Sequence, residues 1–398
     1  MKNILAWLLL GYLIVLHSSM AGMEIFAWAV CLCSFAYQFK VRHFEIFKAN
    51  KTTNLWLLFF VVTVALSLAF VPLERPFWFQ FGFMRWTIVL WGLTFALQEV
   101  WSDQFEKRLV TLWMAIVAIT GLYAAAQCLT GVDLIRKPGD AVEFQADGIW
   151  KATGWFSASL TFAYNYGVGL FAHLKPAYDK INKKAAIATA ACGALGLIAA
   201  VSRGSWLACI VCVLVYVAFT RKILVIPVAA GYYLLSKLLI AYSAGFGGKI
   251  QGMENMKVDH SESVRLDLWQ GYWAMFKDHP LFGVGVEQGD KFLPQYFAKL
   301  GIDQEFVSHA HNNFIQFLGG CGIFGFIAYC GVIAIFLQKA WRLRNITAWG
   351  WSLFLAQLYM QLGGLTEANF IDGEVNHMLI FTWAILLVVE SKYRLSQP

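Results

Sequence analysis

Long apolar runs separated by short polar loops form the dominant pattern along this chain. A helix that crosses a bilayer needs about 20 apolar residues, with about 17 to 25 allowed. About twelve segments match, with bounds 4–20, 22–39, 53–72, 80–99, 108–129, 158–174, 184–201, 204–220, 222–243, 312–338, 345–363 and 375–391. The pattern therefore predicts an all-α integral membrane protein in which residues 1–398 form a single polytopic domain.

The composition supports this prediction. The chain is 59% hydrophobic and 14% charged, whereas soluble domains carry roughly a quarter charged residues. Lys2 precedes the first apolar segment, as in a signal peptide, but no small-residue cleavage site follows, so we predict a retained helix. The net charge of +7 comes from lysines and arginines in the loops, and their distribution indicates the topology. We therefore predict no nucleic-acid partner.

The distribution of Lys and Arg predicts the orientation, because cytoplasmic loops carry an excess of both. With a cytoplasmic N-terminus, the cytoplasmic segments hold 18 of these residues and the opposite side holds 12. Half of those 12 lie in one long loop, and long loops count little in this rule. We therefore expect both termini in the cytoplasm.

Two loops on the outer side are substantial. They cover residues 130–157 and 244–310, and the second is inserted between helices nine and ten. Apolar residues recur in it at three- and four-residue steps, namely Val264, Leu268, Trp269, Tyr272, Trp273 and Phe276. This spacing predicts an amphipathic helix at the membrane interface, ended by Asp278-His279-Pro280, with a second short helix over 290–300.

A polar stretch opens helix ten in the sequence SHAHNNFIQFLGGCGIFG, residues 308–325. Ser308 is the predicted N-cap, which places His311 in the first turn. His309 and His311 are two residues apart, at about 100° per residue on a helix, so they are predicted to point to nearly opposite sides. Polar groups at the mouth of a membrane span are costly and suggest a function.

Two arginines fall on the same predicted side as His311. Arg203 lies in the hairpin between helices seven and eight, in SRGSW, and Arg265 lies in SESVRLDLWQGYW. An arginine pairs with phosphate through a planar fork and keeps its charge, and a helix N-terminus adds free N–H groups. These residues predict an anion site with a proton acceptor, suited to a lipid-linked diphosphate.

Structural roles remain open for each of these residues. Arg203 can extend from a helix end to the headgroups, and Arg265 can pair with Asp267, Glu262 or an anionic lipid. The two histidines can simply cap helix ten. Metal binding by His-x-His ranks low, because zinc needs three or four ligands and no Asp or Cys lies nearby in sequence.

Two carboxylates lie near the outer end of helix eleven. Glu367 and Asp372 can orient a histidine or bind an acceptor sugar, although solvated loop carboxylates are the more common case. The run GVGVEQG at 283–289 predicts a turn, since no strand surrounds it. Four glycines that follow His311 are predicted helix-packing positions, namely Gly319, Gly320, Gly322 and Gly325.

The order of these motifs resembles the O-antigen ligase and polymerase superfamily of bacterial envelopes. The similar features are the S-R-G hairpin, Arg265 with Trp269, HPLFGVG, and HNNFIQ before helix ten. The segment TGWFSASLTFAYN at 153–165 is also similar. At motif level the resemblance covers about residues 150 to 335.

The resemblance implies a GT-C-like fold with one large periplasmic helical loop, in the bacterial inner membrane. It implies glycan transfer from undecaprenyl diphosphate to a sugar hydroxyl of lipid A–core at the periplasmic face. The reaction would be inverting and would need no metal or other cofactor. Arg203 and Arg265 would bind the diphosphate, and His311 would be the catalytic base. Possible acceptor-binding or supporting residues are Asn312, His309, Glu367 and Trp269.

Alternatives with the same residues remain. An O-antigen polymerase joins one lipid-linked repeat to another, and a protein-glycosylating relative is a further possibility. The H-N-N-F-I-Q start of helix ten and the compact loop favour a ligase. A lipid or solute transporter is a more distant alternative, but the chain lacks paired broken helices in two matching halves, and its polar residues lie at one face.

Overall fold

The computed structural model is almost entirely helical. It describes residues 1–42, 44–76, 82–136, 143–144, 149–242, 246, 248, 250–251 and 260–395. The predicted start of helix four, Lys137, position 255 and the side chain of Glu262 lie outside the described residues, as do parts of both predicted outer loops.

Apolar helices overlap all the predicted segments. The helices are α1 (Lys2–Val15), α2 (Met20–Val41), α3 (Glu45–Ala49), α4 (Lys51–Ser67), α5 (Trp86–Val100), α6 (Asp103–Thr130), α7 (Ser159–Pro176), α8 (Lys183–Ala199), α9 (Arg203–Thr220), α10 (Val225–Tyr242), α11 (His260–Asp278), α12 (Gly289–Leu300), α13 (Asn313–Leu343), α14 (Ala348–Gly363) and α15 (Gly373–Leu395). Two-residue strands, β1 (Glu143–Phe144) and β2 (Trp150–Lys151), pair antiparallel between α6 and α7.

Six helices in the described part of the chain are long and apolar enough to cross a membrane: α2, α6, α9, α10, α13 and α15. The helices α1 and α4 are apolar but shorter. The all-α class and the multi-pass character are therefore confirmed. The count of twelve spans stays a prediction, because several helices are shorter than the predicted segments.

Polar side chains begin many of these helices. Ser19 caps α2, Ser102 caps α6, Asn182 caps α8 and Thr347 caps α14, each accepting a backbone N–H of the first turn. Such caps satisfy N–H groups that have no partner within the helix. The apolar faces of the helices then pack into one large core, in which Trp113, Trp349 and Trp383 are buried.

The predicted loop helices are confirmed as α11 and α12. They form a second, smaller core from Leu268, Tyr272, Met275, Leu293 and Phe297. The amphipathic face of α11 therefore packs at least partly against protein. Its predicted place at the membrane interface stays a prediction.

The predicted turn at 283–289 packs against α13, where the helix is interrupted. Gly322 has φ 63° and ψ −166°, a conformation outside the helical region. The N–H groups of Val284 and Gly285 donate to the carbonyls of Gly319 and Gly320, at 3.2 and 2.7 Å. A Cβ on Gly320 would lie 2.9 Å from the Cα of Val286. These glycines thus allow the backbone of the 283–289 turn to pack directly against α13. The sequence had predicted only packing between helices.

Candidate active site

An asparagine caps the start of α13. The Oδ1 atom of Asn312 accepts the N–H groups of Phe314 and Ile315 at 2.9 and 3.1 Å. Its Nδ2 donates to the carbonyl of Leu365 at 2.9 Å. The predicted cap at Ser308 is wrong, because the chain becomes helical only after Asn312. Asn312 therefore supports the site by joining α13 to the loop of residues 364–372, which we call the carboxylate loop.

His311 lies just before the helix, in a strained conformation. Its φ is +46°, a left-handed value that costs about 1–3 kcal/mol for a non-glycine residue. Its N–H donates to Nδ1 of His309 at 3.3 Å, and the two ring centroids are 4.2 Å apart. The prediction that the imidazoles point to opposite sides is wrong, because it assumed a helix through both residues.

Both imidazoles contact the same buried carboxylate. The Nδ1 of His311 lies 2.9 Å from Oε2 of Glu367, and Nε2 of His309 lies 3.5 Å from Oε1. Glu367 is only 7% exposed and also accepts the N–H of Ala368 at 3.1 Å. The expectation of a solvated loop carboxylate is therefore wrong for Glu367, and its contact with Nδ1 of His311 is compatible with the alternative, that it orients a histidine.

The hydrogen-bond partners assign different protonation sites to the two histidines. Nδ1 of His309 accepts a backbone N–H, so a neutral His309 carries its proton on Nε2, toward Glu367. A carboxylate can only accept, so His311 carries its proton on Nδ1. The Nε2 atom of His311 then has a free lone pair, with no hydrogen-bond partner among the described residues. Only His311 is therefore arranged to accept a proton.

The electrostatics keep His309 neutral and Glu367 charged. Burial lowers the pKa of His309, and although Glu367 opposes this, His311 and Arg265 lower it further. Burial would raise the pKa of Glu367, but the hydrogen bond from His311 and the nearby imidazoles hold that pKa below its ordinary value. A buried negative charge thus lies directly behind His311.

Arg203 begins α9 beside the carboxylate loop. The Oγ of Ser202 caps this helix by accepting the N–H of Ser205 at 3.4 Å. The preceding Val201 has φ +48°, so the predicted break between two helices is confirmed as a tight, strained turn. A Cβ on Gly204 would lie 2.3 Å from Oγ1 of Thr366. The first turn of α9 therefore packs against the residue next to Glu367.

Arg265 of α11 lies close enough to His309 for its charge to act on that imidazole. It is partly buried, and its charge acts on His309 and on the hydroxyl of Tyr164. No carboxylate among the described side chains forms an ion pair with it. Trp269, one turn later, donates from Nε1 to the carbonyl of Ala310 at 2.8 Å. Trp269 thus positions α11, and with it Arg265, against the histidine segment.

Tyr164 and Asn369 of this region were not singled out from the sequence, whereas Asn313 belongs to the polar stretch that opens helix ten. Tyr164 of α7 lies 3.3 Å from the Thr366 hydroxyl. The side chain of Asn313 bonds the carboxylate loop twice, donating to Asn369 Oδ1 at 2.7 Å and accepting the N–H of Phe370 at 3.0 Å. A sequence signal existed for Tyr164, because a polar group within an apolar run is costly unless it is paired.

Asp372 lies apart from the histidines. Its Oδ1 accepts the N–H groups of Glu374 and Val375, and its Oδ2 accepts the Thr161 hydroxyl at 2.6 Å. Burial and the neighbouring Glu374 raise the pKa of Asp372 to about 7. Of the two carboxylates suggested by the sequence, Glu367 joins the histidines and Asp372 caps α15.

The cluster also has the composition of a metal site. Ligand atoms of His309, His311 and Glu367 lie within 4.8 Å of one another, and two histidines with a glutamate form a known zinc set. The sequence-based reason for ranking a metal low was therefore wrong, because the third ligand comes from a distant part of the chain. The same ring nitrogens already face the carboxylate, so an ion would have to replace both contacts.

A comparison with known families agrees with the motif-level resemblance. Residues 188–330 match the family model described as O-antigen ligase. The matched stretch contains Arg203, Arg265, Trp269 and His311, whereas Glu367 lies beyond it. No curated protein matches the chain.

Proposed function

We propose that this chain, a member of the O-antigen ligase family, transfers a glycan from undecaprenyl diphosphate to a sugar hydroxyl of lipid A–core, completing lipopolysaccharide. The observation that carries this proposal is the free Nε2 of His311, whose ring is held by a buried carboxylate. A base of this kind needs an orienting partner on its other nitrogen. The two arginines at the same end of the bundle supply the site for the diphosphate.

In the proposed reaction, the acceptor oxygen attacks the anomeric carbon of the donor. The bond from that carbon to the diphosphate oxygen breaks, and undecaprenyl diphosphate leaves with the electron pair. The proton of the acceptor hydroxyl passes to Nε2 of His311, and the charge of Glu367 stabilises the imidazolium that forms. A single attack from the opposite face inverts the anomeric centre.

Arg203 and Arg265 stabilise the charge that grows on the leaving diphosphate. Their planar guanidinium groups match two phosphate oxygens at once. The lipid diphosphate is itself an activated leaving group, so the proposed reaction uses no nucleotide and no cofactor. Asn312, His309 and Trp269 act as supporting residues that hold the histidine segment, the carboxylate loop and α11 together.

The proposed architecture is a GT-C-like bundle of twelve spans in the bacterial inner membrane. Both termini lie in the cytoplasm, and α11 and α12 belong to a periplasmic loop. The distribution of Lys and Arg supports this orientation. The short helices α1, α4, α5 and α14 would then cross with their ends near the headgroups.

The deciding assay is transfer in vitro with the purified protein. A polyprenyl-diphosphate glycan is mixed with rough lipopolysaccharide, and a ladder of capped product is expected on a gel. In a second reaction, a lipid-linked repeat unit replaces the lipopolysaccharide. Elongation of that repeat without capping would identify a polymerase, and no product in either reaction would contradict glycan transfer.

The orientation is tested by labelling of single cysteines. Position 255 of the predicted loop lies outside the described residues, so Lys291→Cys in α12 is the better probe. In a background without the eight native cysteines, it should react with an impermeant maleimide in intact spheroplasts. Lys48→Cys should not react. The reverse pattern would overturn the orientation and the periplasmic site.

A further inference from the structure

A crevice lies at the end of α9 opposite to the histidines. Helices α7, α8, α9 and α14 enclose a mainly apolar cavity of about 510 Å³, lined by residues such as Phe171, Leu174, Ile187 and Val213. The 18 residues of α9 rise about 27 Å, close to the thickness of a hydrocarbon core of about 30 Å. The crevice therefore lies at the other membrane interface.

This apolar cavity continues into a polar one. A second cavity, of about 440 Å³, shares Lys175, Tyr216, Thr220, Arg221 and Trp351 with the first and extends to the turn between α13 and α14. Its wall includes Arg344 and Asn345, and Trp351 donates to Oδ1 of Asn345 at 3.1 Å. The crevice thus has an apolar inner part and a polar mouth.

The mouth has more positive than negative charge. Lys175 pairs with Asp179 at 2.6 Å, and these two charges offset each other. Arg344 stacks on Trp341 at 3.8 Å and donates to its carbonyl. Arg221 is exposed. Among the described side chains, neither arginine has a carboxylate partner, so two positive charges remain for a ligand.

Aromatic rings beside the mouth support its position at an interface. Phe219 and Trp341 are in edge contact at 5.0 Å, and Trp341 and Trp351 at 5.8 Å. Tryptophan is enriched where a membrane protein meets the headgroup layer. The mouth, with its rings and basic side chains, therefore suits a lipid headgroup, and the apolar cavity behind it suits an acyl chain.

We infer that this crevice binds an anionic diacyl phospholipid. Its phosphate contacts Arg221 and Arg344, and one acyl chain occupies the apolar cavity between α7, α8 and α9. Basic pockets between helices on the cytoplasmic side suit such headgroups, because anionic lipids and their negative surface potential are found there. A polyprenyl phosphate shares the phosphate chemistry, but its transfer site lies at the other end of the bundle.

The test is native mass spectrometry of the whole protein, delipidated in detergent and titrated with single lipids. Phosphatidylglycerol should bind at least about tenfold more tightly than phosphatidylcholine. The variant with Arg221→Gln and Arg344→Gln should lose this preference. A matched control with Lys40→Gln and Arg42→Gln changes the charge equally, at exposed positions outside the crevice, and should keep it.

A further variant tests the apolar part without changing charge. Ala190→Trp places a large ring in the cavity lined by Ala190 and should weaken phosphatidylglycerol binding, while a thermal melt checks that the protein folds. Transfer activity should be unchanged in the arginine variant. Equal binding of both lipids, retention of phosphatidylglycerol by the arginine variant, or preferred binding of undecaprenyl phosphate would each overturn the inference.

Discussion

His311 and His377 lie near the same end of the bundle, and each contacts a different glutamate. The surroundings of the two pairs differ. His377 of α15 is hydrogen-bonded through both nitrogens, to the Tyr12 hydroxyl at 2.7 Å and to Glu24 at 3.3 Å. Arg85 in turn binds Glu24 through Nε at 3.1 Å. His311, in contrast, contacts Glu367 through Nδ1, and its Nε2 has no partner within the described part of the chain.

The comparison distinguishes a cluster that holds helices together, at Glu24, from a cluster that can transfer a proton, at Glu367. At Glu24, an arginine neutralises the carboxylate and the imidazole has no free nitrogen, so the group mainly joins α1, α2 and α15. At Glu367, two imidazoles share the carboxylate, and the observed partners leave one nitrogen available. A histidine whose second nitrogen is free can do acid–base work, whereas one with both nitrogens bonded mainly holds helices together.

The largest expected effect is at His311. His311→Ala should lower transfer by about 10²–10⁴-fold, the usual contribution of a general base, while donor binding falls only modestly. His377→Ala should keep most of the transfer activity and lower thermal stability instead. Single-turnover assays with pre-bound donor measure the first effect.

Two further variants sharpen this assignment. His309→Ala should cost much less than His311→Ala, because His309 has no free acceptor nitrogen. His311→Asn should be nearly inactive. An active His311→Asn or His311→Ala protein would end the proposal of a general base and leave His311 as a structural residue.

The arginines come next in expected effect. Arg203→Lys and Arg265→Lys keep the charge but lose the planar fork, so each should lower transfer by roughly 10–100-fold, as expected for one charge-assisted hydrogen bond of about 1.5–3 kcal/mol. Arg85→Lys should change the transfer rate little. Initial rates on protein of equal membrane insertion provide the measurement. Near-normal rates in both lysine variants would favour simple anchoring at the headgroups.

The glutamates test the comparison most directly. Glu367→Gln removes the charge that stabilises the imidazolium, so the maximal rate should fall by about tenfold or more. Glu24→Gln should lower the melting temperature and leave the rate nearly unchanged, because its charge is matched by Arg85. A slow Glu24→Gln enzyme with normal stability would show that both clusters act in catalysis.

Glu287 should give a smaller, pH-dependent effect. It lines a cavity of about 420 Å³ beside Arg85 and His377, and burial raises the pKa of its carboxyl to about 7, against the opposing charges of Arg75 and Arg85. Because the folded state binds this proton more tightly, stability should fall as pH rises from about 4.5 to about 7.

Glu287→Gln should remove that loss. The variant should melt a few degrees above the parent at pH 8, and the two proteins should melt together near pH 4.5. Thermal melts in detergent across this range provide the measurement. An unchanged difference between pH 4.5 and pH 8 would contradict a buried, titrating Glu287.

The smallest expected effect is that of chelation. The proposed site derives its positive field from Arg203, Arg265 and the start of α13, so transfer should survive excess chelator. Loss of transfer, with recovery on addition of zinc, manganese or magnesium, would assign the cluster of His309, His311 and Glu367 to a metal. His311 would then differ from His377 as a metal ligand and not as a general base.

Local sequence patterns were enough to predict the helices and the candidate charged residues. A chain in lipid must satisfy its backbone hydrogen bonds within each segment, so an apolar run such as 312–338 predicts a helix without knowledge of its neighbours, and α13 covers most of that run. The loop helices α11 and α12 followed from local periodicity. Arg203, Arg265 and His311 were grouped in the prediction because alternating spans place alternate loops on one side.

The arrangement of the histidines depends on contacts between segments that are distant in the chain. Glu367 follows His311 by 56 residues, and no local pattern indicates that its carboxylate turns inward to bond His311 and contact His309. The cap at Asn312 and the left-handed φ of His311 depend on contacts with the carboxylate loop. Helical periodicity describes only neighbours along one segment, whereas these contacts join α13 to a loop beyond α14, so they appear only when the bundle is packed.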